Sequence, residues 1–479
     1  MLIYPWNCRY HCPVFFKPDV LMLKITIIGG GYIGVVSGVC FCEFGFSVDI
    51  VEIDAVKLKD LKNNLVSVYE PSLESSLKKH QATGVLRFFG NLNKTHQNPD
   101  VIVIAVAHFD DEKQAAKIHD ITKDAMLLLS RSHYTAILIK TTTSVGTCSI
   151  IKNNAQFLRP DLVHGEHYDI ITNPDFLREG YALHDFVAPD RLVIGMDQTS
   201  KKARNLIEKL YSPIIASEIP VIYTNHETAE LIKYATTAFI AAKSALINEF
   251  ADLCGKSKAN IEHLITGIGF DSSVGPKLLK VTPGFGGLSY PALMRGITRM
   301  ARSLGIECHI TRAVMESNLA RTRHISERII SKLSDENGLS NKKLAVLGLA
   351  IKPQTNDVRE APSISVIHTM LENDIFVSAY DPSFHLDALR ILEAIPKTIF
   401  DNPRFQLTGS VYEAVMQSDM VVLMTNWSEF LNIDFGKVWE LMNRRQNDNP
   451  ILMDMHNLYT KAKLKNFEYI AAEELLGPL

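Results

Sequence analysis

The 479-residue sequence lacks three features that would have placed it in a broad functional class. Its longest apolar runs are only long enough for strands, so we predict no membrane span and no membrane partner. Its 50 basic and 53 acidic residues give a net charge of −3, which offers no basic surface for nucleic acid and favours a small-molecule partner. Its seven cysteines are odd in number and scattered, which is typical of reduced thiols and predicts a cytoplasmic location.

The first 22 residues contain the one cluster that resembles part of a metal site. Cys8 and Cys12 flank His11. A structural zinc site normally needs four ligands, and no matching second half follows in the sequence, so we predict no metal. We interpret residues 1–22 as an N-terminal extension to the first domain.

Strand and helix patterns divide the remaining chain into three segments. Residues 23–220 and 336–479 alternate short β-branched runs with helical stretches, which is typical of parallel α/β sheets. Residues 221–335 contain two long amphipathic helical patterns, which predict a dimerisation surface. The predicted fold class is α/β, with two Rossmann-like, doubly wound parallel-sheet domains joined by a central helical dimerisation domain. The predicted strands lie in "KITIIGGG", "SVDIVEID", "DVIVIAVA", "TAILIKTT", "YDIITN", "DRLVIGM", "KKLAVLGLAIK", "IFVSAYDPS", "DMVVLMTNW" and "PILMDMHN".

The strongest single motif follows the first predicted strand, where Gly29, Gly31 and Gly34 have GxGxxG spacing. In a dinucleotide-binding unit the first glycine permits a tight turn, the second admits a pyrophosphate and the third lets helix and strand pack closely. Glu52 follows about 20 residues later, where an acid would bind ribose hydroxyls. The acid favours NAD over NADP, although Lys57 lies nearby. The alternative is a glycine-rich turn that binds nothing.

Further along the chain, a series of motifs resembles the UDP-glucose/GDP-mannose dehydrogenases in order and spacing. The resemblance covers nearly all of the chain from Lys24 onward. It implies an N-terminal NAD domain, a central dimerisation domain, a C-terminal nucleotide-sugar domain and a homodimer or larger homo-oligomer. It also implies oxidation of a sugar C6 alcohol to a carboxylate, with two NAD and an active-site cysteine. The motifs are "GGGYIG", "VYEPSL", "IKTTTSVGT", "TNPDFLREG", "PDRLVIG", "ELIKYATTAFIAAKSALINEFADLCG", "GFGG", "LGLAIKPQTNDVREAP", "AYDP" and "TNWSEF".

The resemblance assigns catalytic roles to specific residues of this sequence. Lys233 matches the lysine that steadies the oxyanion, and Thr142 matches the threonine that holds the catalytic water. Asp175 and Glu179 fall on the family's two carboxylates, the first of which is normally a glutamate. Thr237 stands where the family has an asparagine. Each of these residues could instead have no catalytic role; Lys233, for example, could be a solvated lysine on a helix.

The resemblance also assigns ligand contacts. The cofactor residues are Gly29, Gly31, Tyr32, Ile33, Gly34, Glu52, Lys57 and Thr142. The nucleotide-sugar residues are Phe176, Leu177, Lys233, Lys280, Gly284, Phe285, Gly286, Gly287, Lys352 and Arg359. An alternative for Arg359 is an ion pair with Asp357 or Glu360. UDP-glucose is the first expectation for the substrate, and other nucleotide sugars, including amino sugars, remain open.

The sequence departs from the family pattern around the expected chemistry. The family's "GGSCFPKD" reads "GGLSYPAL" here, so Ser289 replaces the nucleophilic cysteine, Ala292 the lysine and Leu293 the aspartate. A serine hydroxyl needs an adjacent base to become a nucleophile, and this stretch supplies none. Two functions therefore remain open: a dehydrogenase that is slow beyond the aldehyde or stops there, and a silent paralogue that binds NAD or nucleotide sugar. Further departures are Ala107 and His108 for the family's "TP", Thr237 for an asparagine, and Ser273 and His456 for two arginines.

Overall fold

The computed structural model describes residues 22–66, 68–106, 114–287, 289–336, 338–385, 395–443 and 449–476. The fold class predicted from the sequence is confirmed: two mainly parallel sheets, each with helices, are joined by a central helical region. The boundaries at residues 22, 220 and 335 stay predictions. The interpretations of Cys8, His11, Cys12, Ala107 and His108 concern residues outside the described ranges.

The first sheet has eight described strands in the order β3-β2-β1-β4-β5-β6-β7-β8. All neighbouring pairs are parallel except β6 and β7, which meet at one antiparallel pair, Thr172 and Gly195. The order reverses direction between β1 and β4, and ligands bind at such a switch point beyond the carboxyl ends of the strands. The strands are β1 (Lys24–Ile28), β2 (Ser47–Val51), β3 (Leu86–Phe89), β4 (Val101–Ile104), β5 (Thr135–Ile139), β6 (Tyr168–Thr172), β7 (Leu192–Gly195) and β8 (Val221–Thr224).

Eight helices accompany this sheet in the described residues. The first, α1, is buried along most of its length because it is apolar on nearly every face, as expected for a helix enclosed between a sheet and its neighbours. By contrast, α7 buries Ala203, Ile207 and Leu210 and exposes most of its charged residues. The helices are α1 (Tyr32–Glu43), α2 (Ala55–Lys62), α3 (Leu73–Ala82), α4 (Gln114–Leu127), α5 (Thr147–Leu158), α6 (Ala182–Val187), α7 (Lys201–Leu210) and α8 (Ser212–Ala216).

The central region is built on one long helix, α9. Asn225 begins it by accepting a hydrogen bond from the Thr228 N–H at 3.0 Å, and an asparagine at this position satisfies one of the free N–H groups of a helix start. α9 packs against α11 and α12 through small and medium apolar side chains. The helices are α9 (His226–Ser257), α10 (Ile261–Gly269), α11 (Ser289–Ser303) and α12 (His309–Leu333).

The second sheet is wholly parallel in its six described strands, in the order β11-β10-β9-β12-β13-β14. The strands are β9 (Lys343–Leu347), β10 (Phe376–Tyr380), β11 (Phe405–Leu407), β12 (Met420–Leu423), β13 (Ile451–Asp454) and β14 (Glu468–Ala471). The helices are α13 (Pro362–Glu372), α14 (Lys397–Phe400), α15 (Val411–Val415) and α16 (Phe435–Leu441). No helix among the described residues combines the length and the apolarity that crossing a bilayer would require.

The central helices share a hydrophobic core with the second sheet. Residues of α9 and α12 pack in the same buried cluster as β9, β12 and β13. At the end of this contact the Arg321 guanidinium donates to Asp252 and, at 3.0 Å, to the Ala472 carbonyl. The long helix α9 thus carries contacts to both sheets, since its first turns also pack against β6 and β7.

Two helical glycines provide a test of this packing. A Cβ on Gly255 of α9 would lie 1.8 Å from the Glu473 carbonyl oxygen, whereas a Cβ on Gly267 of α10 would meet nothing within 4 Å. We expect Gly255→Ala to destabilise the protein by about 1–3 kcal/mol, the usual cost of overpacking. Gly267→Ala should be neutral or stabilise by up to about 1 kcal/mol, because alanine is the better helix former. Thermal denaturation of both variants checks this, and equal melting temperatures would contradict it.

Candidate active site

The glycine loop between β1 and α1 shows a different constraint at each motif glycine. Gly29 has φ +109°, and a Cβ there would lie 2.5 Å from the Ala105 carbonyl oxygen. A Cβ on Gly34 would lie 1.9 Å from the Gly29 carbonyl oxygen. A Cβ on Gly31 would meet nothing within 4 Å. Two glycines are therefore required by the fold itself, and the third faces open space at the start of a helix, where a pyrophosphate fits.

The acidic and the basic candidate near this loop, Glu52 and Lys57, differ in burial. Glu52 follows β2 and is buried, with its Oε1 accepting a hydrogen bond from the Asp54 N–H at 2.9 Å. Its Cβ would be 2.8 Å from a Cβ placed on Gly30, so it lies directly beside the glycine loop. Lys57 lies in α2 and is exposed. The position of Glu52 fits a carboxylate that binds ribose hydroxyls, as in NAD sites.

The first turn of α1 is tied to the loop after β6 by a carboxylate to which the sequence analysis gave no role. Tyr32 donates its hydroxyl to Glu70 Oε2 at 2.6 Å. The same carboxylate accepts from the N–H groups of Gly180 at 2.6 Å and Ala182 at 2.7 Å. Burial raises the pKa of both Tyr32 and Glu70. The hydroxyl of Tyr32 is thus engaged within the protein, while Ile33 beside it packs against the core.

Lys233 of α9 reaches back to the loop after β6. Its Nζ donates to the Asp175 carbonyl oxygen at 2.6 Å and lies 3.5 Å from Asp175 Oδ1, and both side chains are largely buried. The Phe176 ring lies 5.4 Å from Lys233 Nζ and 3.8 Å from the Arg191 guanidinium carbon. Thr237 donates its hydroxyl to the Lys233 carbonyl at 3.1 Å. The structure therefore groups Lys233, Asp175 and Phe176, adds the unpredicted Arg191, and engages Thr237 with its own helix.

Thr142 lies in the loop between β5 and α5, beyond the carboxyl end of the sheet. It is buried, and its hydroxyl has no hydrogen-bond partner among the described residues. The neighbouring Thr141 donates to the Val106 carbonyl at 3.0 Å, and Thr143 donates to Glu230 Oε1 at 3.2 Å. The loop is thus anchored on both sides of Thr142.

Glu179 faces the C-terminal domain rather than Lys233. Its Oε2 accepts from the Thr355 hydroxyl at 3.4 Å. Burial raises the pKa of Glu179 to about 7; the Asp357 carboxylate adds to the rise, and Lys352 and Arg359 oppose it. Burial also lowers the pKa of Lys352. The contacts thus place the two predicted carboxylates in different surroundings. Leu177 lies between them, with its N–H 3.4 Å from Asp175 Oδ1.

The second glycine loop, 284–287, packs tightly against protein. A Cβ on Gly286 would lie 2.4 Å from the Glu360 carbonyl oxygen, and the Gly287 N–H donates to the Arg359 carbonyl at 2.9 Å. Phe285 donates its N–H to Asn318 Oδ1 at 2.8 Å, and a Cβ on Gly284 would lie 2.8 Å from the same oxygen. These glycines are therefore required for close contact with α12 and with the loop that follows β9.

The predicted cationic residues differ in their availability. Arg359 makes a bidentate pair with Asp357 at 2.6 and 2.9 Å, which is the alternative that the sequence left open. Lys280 is exposed. His456, at a position where the family has arginine, lies 3.2 Å from the Met424 carbonyl through Nε2, and burial lowers its pKa to about 4. A neutral imidazole at this place supplies no permanent charge for a phosphate.

Ser289 is the first residue of α11. Its side chain is exposed, and its hydroxyl has no hydrogen-bond partner among the described residues. Tyr290 beside it packs with its ring 6.1 Å from that of Phe285, and Leu293 is buried. A hydroxyl without a hydrogen-bonded base is a weak nucleophile. Among the described residues no group of three or more histidine, cysteine and acidic side chains is arranged to hold a metal ion.

Three family models match successive parts of this chain. Residues 23–215 match the NAD binding domain of the UDP-glucose/GDP-mannose dehydrogenase family, residues 227–320 its central domain and residues 345–461 its UDP binding domain. The UDP-glucose 6-dehydrogenase of Rhizobium meliloti (strain 1021) is 32% identical over 443 residues, which cover 92% of this chain and 96% of that protein. The UDP-glucose 6-dehydrogenase TuaD of Bacillus subtilis (strain 168) is 34% identical over 451 residues, or 94% and 92% of the two chains.

Solved structures share the fold at lower identity. A UDP-glucose dehydrogenase from Pyrobaculum islandicum superposes with a TM-score of 0.81 at 24% identity, covering 96% of this chain and 99% of that one. A UDP-D-ManNAc dehydrogenase from Pyrococcus horikoshii superposes with a TM-score of 0.78 at 21% identity, covering 94% and 99%. At these identities the likeness establishes the three-part architecture.

The surroundings of Glu179 predict a pH effect on stability. Its pKa is raised in the folded protein, so between about pH 4.5 and pH 7 the folded state binds more protons at this site than the unfolded state. The free energy of unfolding then falls as pH rises through this interval and levels above it. We expect the melting temperature of Glu179→Gln, relative to wild type, to rise between about pH 5 and pH 8. Glu227→Gln, which removes an exposed carboxylate, is the control, and a pH-independent difference for Glu179→Gln would contradict the assignment.

Proposed function

The chain belongs to the UDP-glucose/GDP-mannose dehydrogenase family, and we propose that it oxidises the C6 alcohol of a UDP-sugar and works poorly beyond the aldehyde. It is an NAD-dependent oxidoreductase acting on a CH–OH donor. The proposal rests on the largely buried side chain of Lys233, whose ammonium is held 2.6 Å from the Asp175 carbonyl beside the first sheet. This ammonium is suited to stabilise an alkoxide that forms as a hydride leaves.

The residues of the chain supply binding and proton chemistry for the first oxidation. When bound, NAD accepts the hydride that leaves C6. An ammonium has three N–H donors, so Lys233 keeps donors for a substrate oxygen while it is held by Asp175. The Thr142 hydroxyl, which has no hydrogen-bond partner among the described residues, can orient a water or the substrate hydroxyl, and the Asp175 carboxylate can accept a proton.

The second oxidation needs a tetrahedral carbon from which another hydride leaves. The family makes it with a cysteine thiolate, where this chain has Ser289. A thiol ionises near pKa 8.5 and attacks readily, whereas an alcohol requires a base in hydrogen-bond contact. The exposed Ser289 has no such base among the described residues, and the buried Leu293 stands where the family has an aspartate. We therefore expect the aldehyde to be the main product.

The substrate in this proposal is UDP-glucose or a related UDP-sugar, including an amino sugar. The match to a UDP binding domain over residues 345–461 supports the nucleotide. Lys280 is exposed and Lys352 is half-buried, so both are candidates for the diphosphate. Ser273 and His456 replace two arginines of the family, which leaves the sugar undetermined between these choices.

The proposal includes a homodimer and a cytoplasmic location. α9 exposes large apolar side chains at a spacing of three to seven residues, which places them near one helix face. They are Phe239 (77% exposed), Leu246, Phe250 and Leu253; Leu231, nearer the start of the helix, is also exposed. A second copy of the chain would cover them, as the family's central dimerisation domain implies. The cytoplasmic location is supported by the five described cysteines, all of which are free.

A second candidate function is a silent paralogue that binds NAD or a nucleotide sugar and acts as a sensor or assembly partner. One observation favours it: Ala292 and Leu293 put apolar side chains where the family has a lysine and an aspartate, next to Ser289. The geometry of Lys233 and of the glycine loop favours turnover over this candidate.

Turnover itself is the first test. We expect purified protein to form NADH from NAD and at least one UDP-sugar in a panel that also contains GDP-sugars. Lys233→Met should lower kcat at least about 100-fold, because it removes the donor to the developing oxyanion, and should leave NAD affinity within a fewfold of wild type. NADH absorbance and calorimetric titration with NAD measure the two quantities. No NADH from any sugar at high enzyme concentration, with NAD still bound, would favour the silent paralogue.

The role of Ser289 has a separate test. With a UDP-sugar 6-aldehyde supplied as substrate, we expect Ser289→Cys to form NADH faster than wild type, by at least about tenfold, because a thiolate can attack the aldehyde. Ser289→Ala is the matched control and should behave like wild type with both alcohol and aldehyde. A loss of aldehyde oxidation in Ser289→Ala would identify the serine as a working nucleophile and contradict this part of the proposal.

A further inference from the structure

A buried carboxylate, Glu230, lies at the junction of α9 with the first sheet. It is 2% exposed. Its Oε1 accepts from the Cys148 N–H at 3.0 Å and from the Thr143 hydroxyl at 3.2 Å, and its Oε2 accepts from the Gly146 N–H at 2.7 Å. The carboxylate thus occupies the N-terminus of the 12-residue helix α5, where backbone N–H groups and the helix dipole favour a negative charge.

The donors to Glu230 come from the loop that carries Thr142. This loop runs from the end of β5 to the start of α5 and is held at two places. Before Thr142, Thr141 donates to the Ile104 and Val106 carbonyls at the end of β4. After it, Thr143 and Gly146 donate to Glu230. Glu230 therefore supplies the second anchor, on the side of the loop that faces α9.

Glu230 also lies one turn before Lys233 in α9. Residues three apart in a helix are neighbours on its surface, so a restraint on one fixes the rotation of the helix at the other. Beyond Lys233, the Nζ contact to the Asp175 carbonyl is made by a long side chain that has several rotamers. The contact of Glu230 with the loop is one restraint on the backbone position from which this side chain starts, beside the packing of the first turns of α9 against β6 and β7.

We propose that Glu230 is a positioning residue: its carboxylate holds the start of α9 against the 141–146 loop and so fixes the Lys233 ammonium relative to the Thr142 hydroxyl. This inference rests on the proposed function, in which both groups act on the C6 alcohol. Glu230 itself contacts no substrate in this account. Charge-assisted hydrogen bonds to a carboxylate are short and strong, which suits a contact that must hold two separate chain segments in register.

The test uses Glu230→Gln with Glu227→Gln as the matched control. Glutamine keeps the size of Glu230 but turns an NH₂ group toward the N–H donors of the loop, so at least one of the hydrogen bonds is lost. Glu227 is exposed on the preceding turn of α9 and accepts only from the Ser149 hydroxyl of α5, at 3.1 Å, in the described contacts. The control removes the same charge from the same pair of helices without touching the 141–146 loop.

Two readouts separate positioning from general stabilisation. For Glu230→Gln we expect kcat for the UDP-sugar alcohol to fall at least about tenfold, with the dissociation constant for NAD within about threefold of wild type. We expect faster hydrogen exchange at the Gly146 and Cys148 amides, measured by mass spectrometry of the peptides that contain them. Glu227→Gln should match wild type in both. A kcat within twofold of wild type in Glu230→Gln would overturn the proposal.

The exchange readout also distinguishes this inference from the proposed function. If wild-type protein forms no NADH from any UDP-sugar, the proposed function fails and exchange alone decides. Unchanged exchange across residues 143–148 in Glu230→Gln would then overturn the claim that Glu230 holds the loop. Faster exchange there, with wild-type exchange in Glu227→Gln, would support the claim that Glu230 holds the loop.

Discussion

A lysine ammonium can be buried only where acceptors replace its water, and the bond from Lys233 to the loop after β6 is the contact on which the site depends. The contact joins α9, the scaffold of the central region, to the carboxyl edge of the first sheet. It also fixes the place where the cation meets a ligand, since the Asp175 carboxylate and the Phe176 ring lie beside it. The cost of burying the charge is offset only if this geometry is kept, so the sheet, the loop and the helix constrain one another.

The two glycine loops obey a second constraint, the close approach of backbone to backbone. Gly34 lies against the Gly29 carbonyl, and Gly286 lies against the Glu360 carbonyl. A side chain at either position would separate elements that form the edges of the site. In the first loop this leaves Gly31 facing open space, where a cofactor phosphate fits. In the second loop, glycine allows close contact between the central helices and the C-terminal domain. A glycine in the sequence therefore does not by itself show whether the position contacts a ligand or packs against protein.

The sequence predicted the fold more completely than the site. The predicted apolar runs correspond to the inner strands of both sheets, which are buried on both faces. The four strands that were missed, β3, β8, β11 and β14, are the edges of the two sheets, where partial exposure weakens the apolar pattern. This is also why β8 lies just past the predicted boundary at residue 220, although it pairs with β7.

Within the site, local motifs could be read from the sequence and long-range partners could not. The spacing of the turn glycines predicts their roles, and a resemblance to a family can assign a catalytic role to Lys233. The roles of Glu70, Arg191 and Glu230 depend on partners far away in the chain, such as Gly180 for Glu70 and Gly146 for Glu230. A buried glutamate has no sequence signal beyond an acid in an otherwise apolar stretch, as in "TAELI". The surroundings of Glu179 likewise come from a loop of the other domain.

We propose that the chain keeps the groups for removing the first hydride and lacks the nucleophile for the second. The most direct measurement is the number of NADH molecules formed per UDP-sugar consumed by wild-type protein, with the mass of the product read in parallel. We expect one NADH per sugar and a product lighter than the substrate by two hydrogen atoms. Two NADH per sugar, with a carboxylate as the product, would contradict it.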